Sequence, residues 1–150
     1  MKKITRSALL EVPVELAYRV VVDVEAYPDF LPGCERVEVL KRTDTGVEVK
    51  VTVSGAGIKQ KFVTVNRHDP NMITMSLKKG PFKTLEGAWH FTQIGDRGCR
   101  VEVDLEFEAD GMLATLFTPI ADVVANKLVD AFCERMDTVQ TGGAHIGRQH

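Results

Sequence analysis

The sequence has little of what disulfide-bonded, metal-binding or membrane-spanning proteins need. Its 150 residues include three cysteines and one tryptophan. The cysteines Cys34, Cys99 and Cys133 are odd in number and form no C-x-x-C pair, so we expect no zinc motif and a reducing compartment. The longest uncharged stretch, 111–121, is too short for a bilayer that needs about 20 apolar residues. These absences predict a cytoplasmic protein whose membrane contact, if any, is peripheral.

Neither sign of charge dominates the chain. Nineteen basic and twenty-one acidic residues give a net charge of -2, which argues against a protein that wraps DNA. The hydrophobic fraction of 44% and the charged fraction of 27% are typical of a globular domain. Residues 1–140 are therefore predicted to form one domain, and the small polar residues 141–150 a disordered tail.

Alternating apolar and polar residues predict most of the secondary structure. The alternation is clearest at 47–53 and at 101–109, where every second residue is apolar. Weaker strands are predicted at 3–10, 37–42, 58–68, 72–79 and 84–94. The separators between them are short and rich in glycine, asparagine, aspartate and proline, so neighbouring strands should be antiparallel.

Helical periodicity appears on both sides of this run of strands. A first helix should begin at Pro13, with a short helical turn at 26–30, and a long helix should cover 112–139. Pro119 should kink this last helix or divide it after Thr118. A curved antiparallel sheet of about seven strands would then wrap around the long helix, which is an α+β helix-grip arrangement.

Histidines are the first candidates for acid–base chemistry. We expect His68, at a strand end beside a turn, to be a solvated surface residue. Strand parity puts His90 on the outer face with Glu86 and Thr92, and the remaining histidines, His145 and His150, lie in the predicted tail. None pairs with a cysteine or serine at motif spacing, so the sequence predicts no catalytic residue and no metal site.

A second candidate is the carboxylate row on the predicted strand at 101–109. It consists of Glu102, Asp104, Glu106 and Glu108. Such a row could hold a cation or supply a general acid and base. The favoured interpretation is a solvated outer face that also discourages edge pairing.

Two motifs carry a resemblance to a known family. They are D-V-E-A-Y-P-D-F-L-P-G-C at 23–34 and G-P-F-K-T-L-E-G-A-W-H-F at 80–91. With them the chain resembles, over about 3–139, the coenzyme Q-binding START-like family of the polyketide cyclase and Bet v-type superfamily. The resemblance implies a helix-grip fold with an apolar tunnel that binds ubiquinone or a related polyprenyl lipid and supports respiration. For the bacterial RatA-type branch of ribosome-association toxins it implies binding to the large ribosomal subunit and hindered subunit association.

Given the resemblance, the apolar residues that should face inward are candidate ligand contacts. The predicted wall for an isoprenoid or acyl chain comprises Phe62, Phe82, Trp89, Phe91, Phe107, Leu116, Ile120 and Val124. Tyr27, Phe30 and Leu31 should form a lid, because Pro28 and Pro32 prevent a regular helix there. Ordinary core packing is the alternative for all of these residues.

Charge is distributed unevenly along the predicted sheet. Between 57 and 83 there are six basic residues and one acid, whereas between 86 and 110 seven acids accompany two arginines. The basic part is a candidate docking surface for lipid headgroups or ribosomal RNA phosphates, formed by Lys59, Lys61, Lys78, Lys79 and Lys83. Two solvated faces that balance each other are the alternative.

Together these observations predict a protein that binds ubiquinone or another apolar lipid and catalyses nothing. Ubiquinone would be a bound ligand and not a catalytic cofactor. Binding to the large ribosomal subunit is the main alternative function, and a cyclase-like enzyme is a lesser one. Peripheral contact with an anionic membrane, at the inner membrane face, would fit the lipid function, and DNA is not expected as a partner.

Overall fold

A seven-stranded antiparallel sheet forms most of the molecule in the computed structural model, which describes residues 2–55 and 57–144. Its order is β1-β7-β6-β5-β4-β3-β2. The strands are β1 (Lys2–Leu10), β2 (Cys34–Thr43), β3 (Gly46–Gly55), β4 (Ile58–Asp69), β5 (Met72–Lys79), β6 (Thr84–Ile94) and β7 (Gly98–Glu108). The predicted strand number and antiparallel pairing are confirmed.

The strands pair so that the alternating apolar residues share one face. Trp89 of β6 lies opposite Val103 of β7, and Phe91 lies opposite Val101. Phe91, Val101 and Val103 are each at most 5% exposed. Branched and aromatic side chains suit such a half-buried pleated surface, which is why these segments form strands.

Helices follow β1 and β7. Helix α1 covers Val14–Val22 and a 3-10 helix covers Val24–Asp29, while α2 (Gly111–Phe117), a 3-10 turn (Thr118–Ile120) and α3 (Ala121–Ala144) follow the last strand. Pro119 lies in that turn, as its missing N–H donor and fixed ring require, so the predicted division of the long helix is confirmed. Within the described residues, none of the helices combines the length and apolarity that crossing a membrane requires.

Two boundaries differ from the sequence predictions. Pro13 caps α1 from outside with an extended backbone, and the helix begins one residue later. Helix α3 continues to Ala144, so the first four residues of the predicted tail are helical. No proline occurs between Ala121 and Ala144 to interrupt the helical hydrogen bonding. The rest of the tail, with His145 and His150, lies outside the described residues.

The long helix packs on the β1–β7 side of the sheet through its small residues. Ala121 and Ala125 are 2% and 4% exposed and pack with Ile4 of β1 and Phe107 of β7. Further along, Phe132 and Met136 are buried against α1 and strands β5 to β7. Alanines allow the helix axis to approach the sheet closely, so their side of the helix faces inward.

The larger aliphatic residues at the start of the long helix consequently face solvent. Leu116 and Ile120 are each 39% exposed and Val123 is 54% exposed, whereas the sequence prediction placed Leu116 and Ile120 in the wall around the ligand. Residues 112–125 carry two apolar faces, and only one can pack on the sheet. The prediction that Leu116 and Ile120 line the space under the helix therefore needs correction.

Substitution of Phe132 by alanine should lower the free energy of unfolding by about 3–5 kcal/mol, because it removes a buried ring and leaves a cavity. Urea unfolding followed by circular dichroism measures this loss. The exposed Val123→Ala substitution serves as the control and should change stability by no more than about 0.5 kcal/mol. Equal losses for the two variants would contradict the packing described above.

Candidate functional site

The space enclosed by sheet and helix contains a cluster of aromatic rings, here called the central aromatic cluster. It consists of Tyr27, Phe30, Trp89 and Phe132. The ring of Phe132 lies 4.8 Å from Trp89, 5.2 Å from Tyr27 and 5.3 Å from Phe30, each time in an edge-to-face arrangement. Trp89 also stacks on Phe91 at 6.2 Å. Phe132, which is not among the predicted ligand contacts, therefore joins the predicted lid residues Tyr27 and Phe30 to the predicted wall residue Trp89.

A second aromatic cluster lies towards the other end of the sheet. Phe82, Phe107 and Phe117 contact one another with ring centroids between 5.2 and 5.8 Å apart. Of these, Phe82 and Phe107 are predicted ligand contacts, whereas Phe117 of α2 is not among the predicted ligand contacts. This cluster anchors α2 on the sheet.

The remaining predicted ligand contacts fall in different environments. Leu31 packs beside the central aromatic cluster, and Phe62 is half-buried on β4 opposite Val51. Val124 is half-buried on α3. Leu116 and Ile120 lie on the exposed side of the helix and are not among the described residues that pack in either buried cluster.

The lid segment is tied to α1 by a buried hydroxyl group. The hydroxyl of Tyr27 donates a hydrogen bond to the carbonyl oxygen of Val21. Burial, and then the nearby Asp23 carboxylate, raise the pKa of Tyr27 well above its usual value, so the hydroxyl stays protonated and remains a donor. This bond fixes the angle between α1 and the 3-10 helix that carries Tyr27.

Strand β4 presents polar side chains to the otherwise apolar inner face. Thr64 and Asn66 lie opposite Val49 and Val47 of β3 and are 1% and 8% exposed. The Thr64 hydroxyl donates to the Asn66 Oδ1 atom at 3.1 Å. Sequence reasoning missed this pair, although both residues share the parity of Phe62 and so were identifiable as inward-facing.

His68 belongs to the same inward row, and the prediction of a solvated histidine is wrong. It lies opposite Ile73 of β5, and its Nε2 atom is buried without a hydrogen-bond partner among the described residues. Burial, together with the positive charge of Arg42, lowers the pKa of His68 below its usual value, and Asp69 opposes this only partly. The imidazole is therefore neutral at pH 7.

The outer face of the sheet is basic on the strands β3 to β5. Lys50, Val63 and Lys79 lie directly opposite one another on these strands, with Lys61 two residues from Val63 on the same face. Lys59, Lys78 and Lys83 form ion pairs with Glu35, Glu48 and Glu108 at 3.0, 2.9 and 3.5 Å. Lys61 and Lys79 are exposed, and the described part of the chain provides no ion-pair partner for either.

The outer face of β6 and β7 is acidic, and the four carboxylates of β7 have separate partners. Asp104 accepts a hydrogen bond from Thr5 at 2.9 Å and lies 3.7 Å from His90. The other three are Glu102 with Arg100, Glu106 with Lys3 and Glu108 with Lys83. The predictions that this row and His90 face outward are confirmed, and no group of three potential metal ligands occurs among the residues described.

The stability of the protein should fall as the pH drops below about 6.5, the ordinary pKa of histidine. In that range the unfolded chain binds a proton at residue 68 that the folded chain does not, so acid favours unfolding. His68→Phe should flatten this dependence, measured as the midpoint of urea unfolding between about pH 7 and pH 5. His90→Phe is the matched control and should keep the slope, and a slope unchanged in both variants would contradict the assignment.

Comparisons with known proteins agree with this architecture. The family model described as polyketide cyclase / dehydrase and lipid transport matches residues 10–133. The ribosome association toxin RatA of Vibrio cholerae is 41% identical over 141 residues, covering 93% of this chain and 98% of that protein. RatA of Pseudomonas aeruginosa is 40% identical over 135 residues, covering 88% of this chain and 93% of that protein.

A solved structure gives the same fold. The START superfamily protein of Mycobacterium smegmatis superposes with a TM-score of 0.78 at 20% identity, covering 91% of this chain and 98% of that one. Its identity is low, so this likeness concerns the fold. On the family model and the two toxins, the chain belongs to the polyketide cyclase / dehydrase and lipid transport family and, within it, to the RatA group.

Proposed function

We propose that this protein binds the large ribosomal subunit and hinders the association of the two subunits without catalysing a reaction. The observation that carries the proposal is the identity of about 40% with relatives named ribosome association toxins. The aligned region covers nearly the whole length of this chain and of each relative. A shared surface is therefore expected along with the shared fold.

The basic outer face of β3 to β5 is the surface that best suits ribosomal RNA. Lysines that neutralise phosphates release counterions, and this supplies affinity without any reading of bases. The face carries Val63 and Val65 between its lysines and no aromatic ladder, so base stacking is not expected to contribute. The chemistry of the surface thus favours contact with the RNA backbone.

The ion pairs within this face indicate which lysines are available. A phosphate would have to compete with Glu48 for Lys78 and with Glu108 for Lys83. No acid among residues 2–55 and 57–144 is ion-paired with Lys61 or Lys79, and Glu38, opposite Lys50, is paired with Arg36 at 3.3 Å. We therefore centre the proposed docking surface on Lys50, Lys61 and Lys79, within the wider set predicted from the sequence.

The double substitution Lys61→Glu and Lys79→Glu should abolish co-sedimentation with large ribosomal subunits in a sucrose gradient at low salt. Each reversal removes a phosphate contact and adds a repulsive charge, so a loss of at least about tenfold in affinity is expected. For the unmodified protein, association should weaken steeply as salt is raised.

A charge-matched control is available on the far side of the molecule. Arg19 lies on α1 and Arg97 in the turn between β6 and β7, and both are exposed. Arg19→Glu with Arg97→Glu changes the net charge equally and should leave ribosome association intact. The proposed docking surface would be contradicted if both double variants lost ribosome association equally, or if neither variant lost it.

The chemistry of the interior supports a role without catalysis. Thr64 and Asn66 are hydrogen-bonded to each other, and within the described residues the buried Nε2 atom of His68 has no hydrogen-bond partner that would orient it for catalysis. Burial raises the pKa of the Cys99 and Cys133 thiols, which keeps them in the unreactive protonated form. Nothing in this set assembles the groups that general acid–base or nucleophilic catalysis needs.

We infer a second candidate function, binding of ubiquinone or a related polyprenyl lipid, from the Nε2 atom of His68, which is buried and has no hydrogen-bond partner in the described part of the chain. A quinone carbonyl accepts hydrogen bonds, and a neutral imidazole protonated at Nε2 can donate one. The surrounding inner face is apolar, as an isoprenoid tail requires. The aromatic rings of the central cluster would have to separate to admit the tail.

Titration of the purified protein with ubiquinone should quench the emission of Trp89 in a saturable way if this second function holds. His68→Phe should weaken the binding about three- to tenfold, the value of one hydrogen bond. His90→Phe, on the outer face, should bind as the unmodified protein does. Absence of saturable quenching would exclude quinone binding and leave the ribosomal proposal untouched.

A further inference from the structure

An exposed row of aliphatic side chains runs along α2, the following 3-10 turn and the start of α3. We call it the aliphatic stripe, and it consists of Met112, Leu116, Ile120 and Val123, which are 75%, 39%, 39% and 54% exposed. Their spacing of four, four and three residues puts them on one face of the helical segment. Large aliphatic side chains grouped on a surface usually mark a binding face.

The opposite side of the same segment is held firmly on the sheet. Phe117 contacts Phe82 and Phe107 in the second aromatic cluster, and Ala121 and Ala125 are buried. The segment cannot turn the aliphatic stripe inward without breaking these contacts. The stripe is therefore a fixed outer surface with no role in the core.

The chemistry of the aliphatic stripe fits a lipid surface better than a protein or an RNA. Residues 111–121 contain no charged side chain, so the stripe offers no cation to a phosphate backbone. It also lacks the tryptophan, tyrosine and arginine side chains that dominate protein–protein interfaces. Aliphatic side chains on an interfacial helix are what the boundary between headgroups and acyl chains accepts.

The charges around the stripe indicate the sign of that surface. Asp122 is the nearest acid in sequence, and it is bound by two cations, Lys2 at 3.0 Å and Arg6 at 3.5 Å. Lys127 follows Val123 by one helical turn on the exposed side, and Lys83, next to Phe82, is paired with Glu108. Asp110, two residues before Met112, is a further exposed acid. The rim therefore carries four cations, Lys2, Arg6, Lys83 and Lys127, and three acids, Asp110, Asp122 and Glu108. This excess of one positive charge favours negatively charged headgroups.

We propose that the aliphatic stripe inserts into the headgroup region of an anionic lipid bilayer and docks the protein there. The stripe and the lysines of the proposed ribosomal docking surface lie on different elements. The lipid docking therefore does not rest on the ribosomal proposal, and each can fail alone.

The test is flotation with vesicles of phosphatidylcholine containing phosphatidylglycerol, with phosphatidylcholine alone in parallel. The unmodified protein should float with the anionic vesicles and less with the neutral ones. Met112→Glu with Ile120→Glu should reduce the bound fraction at least about tenfold, because two inserted side chains become charged. The matched control is Leu9→Glu with Ile94→Glu, which alters two residues, 74% and 47% exposed, at the opposite end of the sheet. This control should float as the unmodified protein does.

A second measurement keeps the test independent of the glutamate variants. Met112→Trp should give an emission that shifts to the blue when anionic vesicles are added, beyond any change at Trp89 in the unmodified protein. Circular dichroism and thermal unfolding should be the same for all variants, since only exposed positions change. Absence of the blue shift would contradict insertion at this position.

Four further outcomes would overturn the proposal. The unmodified protein could fail to float with either vesicle, or the control variant could lose flotation as completely as the stripe variant. Light scattering could reveal self-association that Met112→Glu with Ile120→Glu removes, which would assign the stripe to a second copy of this chain. Loss of ribosome co-sedimentation in that variant would assign the stripe to the ribosome instead.

Discussion

The contact between Phe132 of α3 and Trp89 of β6 holds the helix, the sheet and the lid segment together. Because Phe132 also touches Tyr27 and Phe30, one buried ring joins three parts of the chain that are distant in sequence. Aromatic rings bury a large area and favour such edge-to-face contacts. The position of α1, the direction of α3 and the width of the space beneath it all depend on this packing.

The sheet then separates two kinds of chemistry by its two faces. Its inner face is apolar apart from the row Thr64, Asn66 and His68, and its outer face carries basic residues on β3 to β5 and acidic residues on β6 and β7. On the acidic half, Glu102, Glu106 and Glu108 are each ion-paired, whereas Lys61 and Lys79 are left exposed on the basic half. A polyanion is therefore expected to meet the sheet from outside, and an apolar ligand would have to enter from within.

Exposed aliphatic residues at the start of the long helix result from the same packing. The helix has two apolar sides, and the sheet takes the side with alanines because the shorter side chains allow a closer approach. The side with Met112 and Ile120 remains outside. A protein that exposes such a row is expected to have a partner for it, and the absence of charge along 111–121 limits which partner that is.

The sequence by itself determined the number of strands and their succession along the chain, the division of the long helix at Pro119 and the outward direction of the acidic row. These features follow from alternation, turn residues and the missing donor of proline, all of which act locally. The motifs at 23–34 and 80–91 also identified the family.

Tertiary structure decided the rest: which side of α2 and α3 packs inward, where His68 points, and which lysines form ion pairs with an acid. Alternation is ambiguous on β4, because Phe62, Val63 and Val65 place apolar residues on both parities, and an irregularity interrupts its pairing with β5 at Val63 and Thr64. The ion pairs join residues up to 120 positions apart, and no local pattern predicts such a pairing.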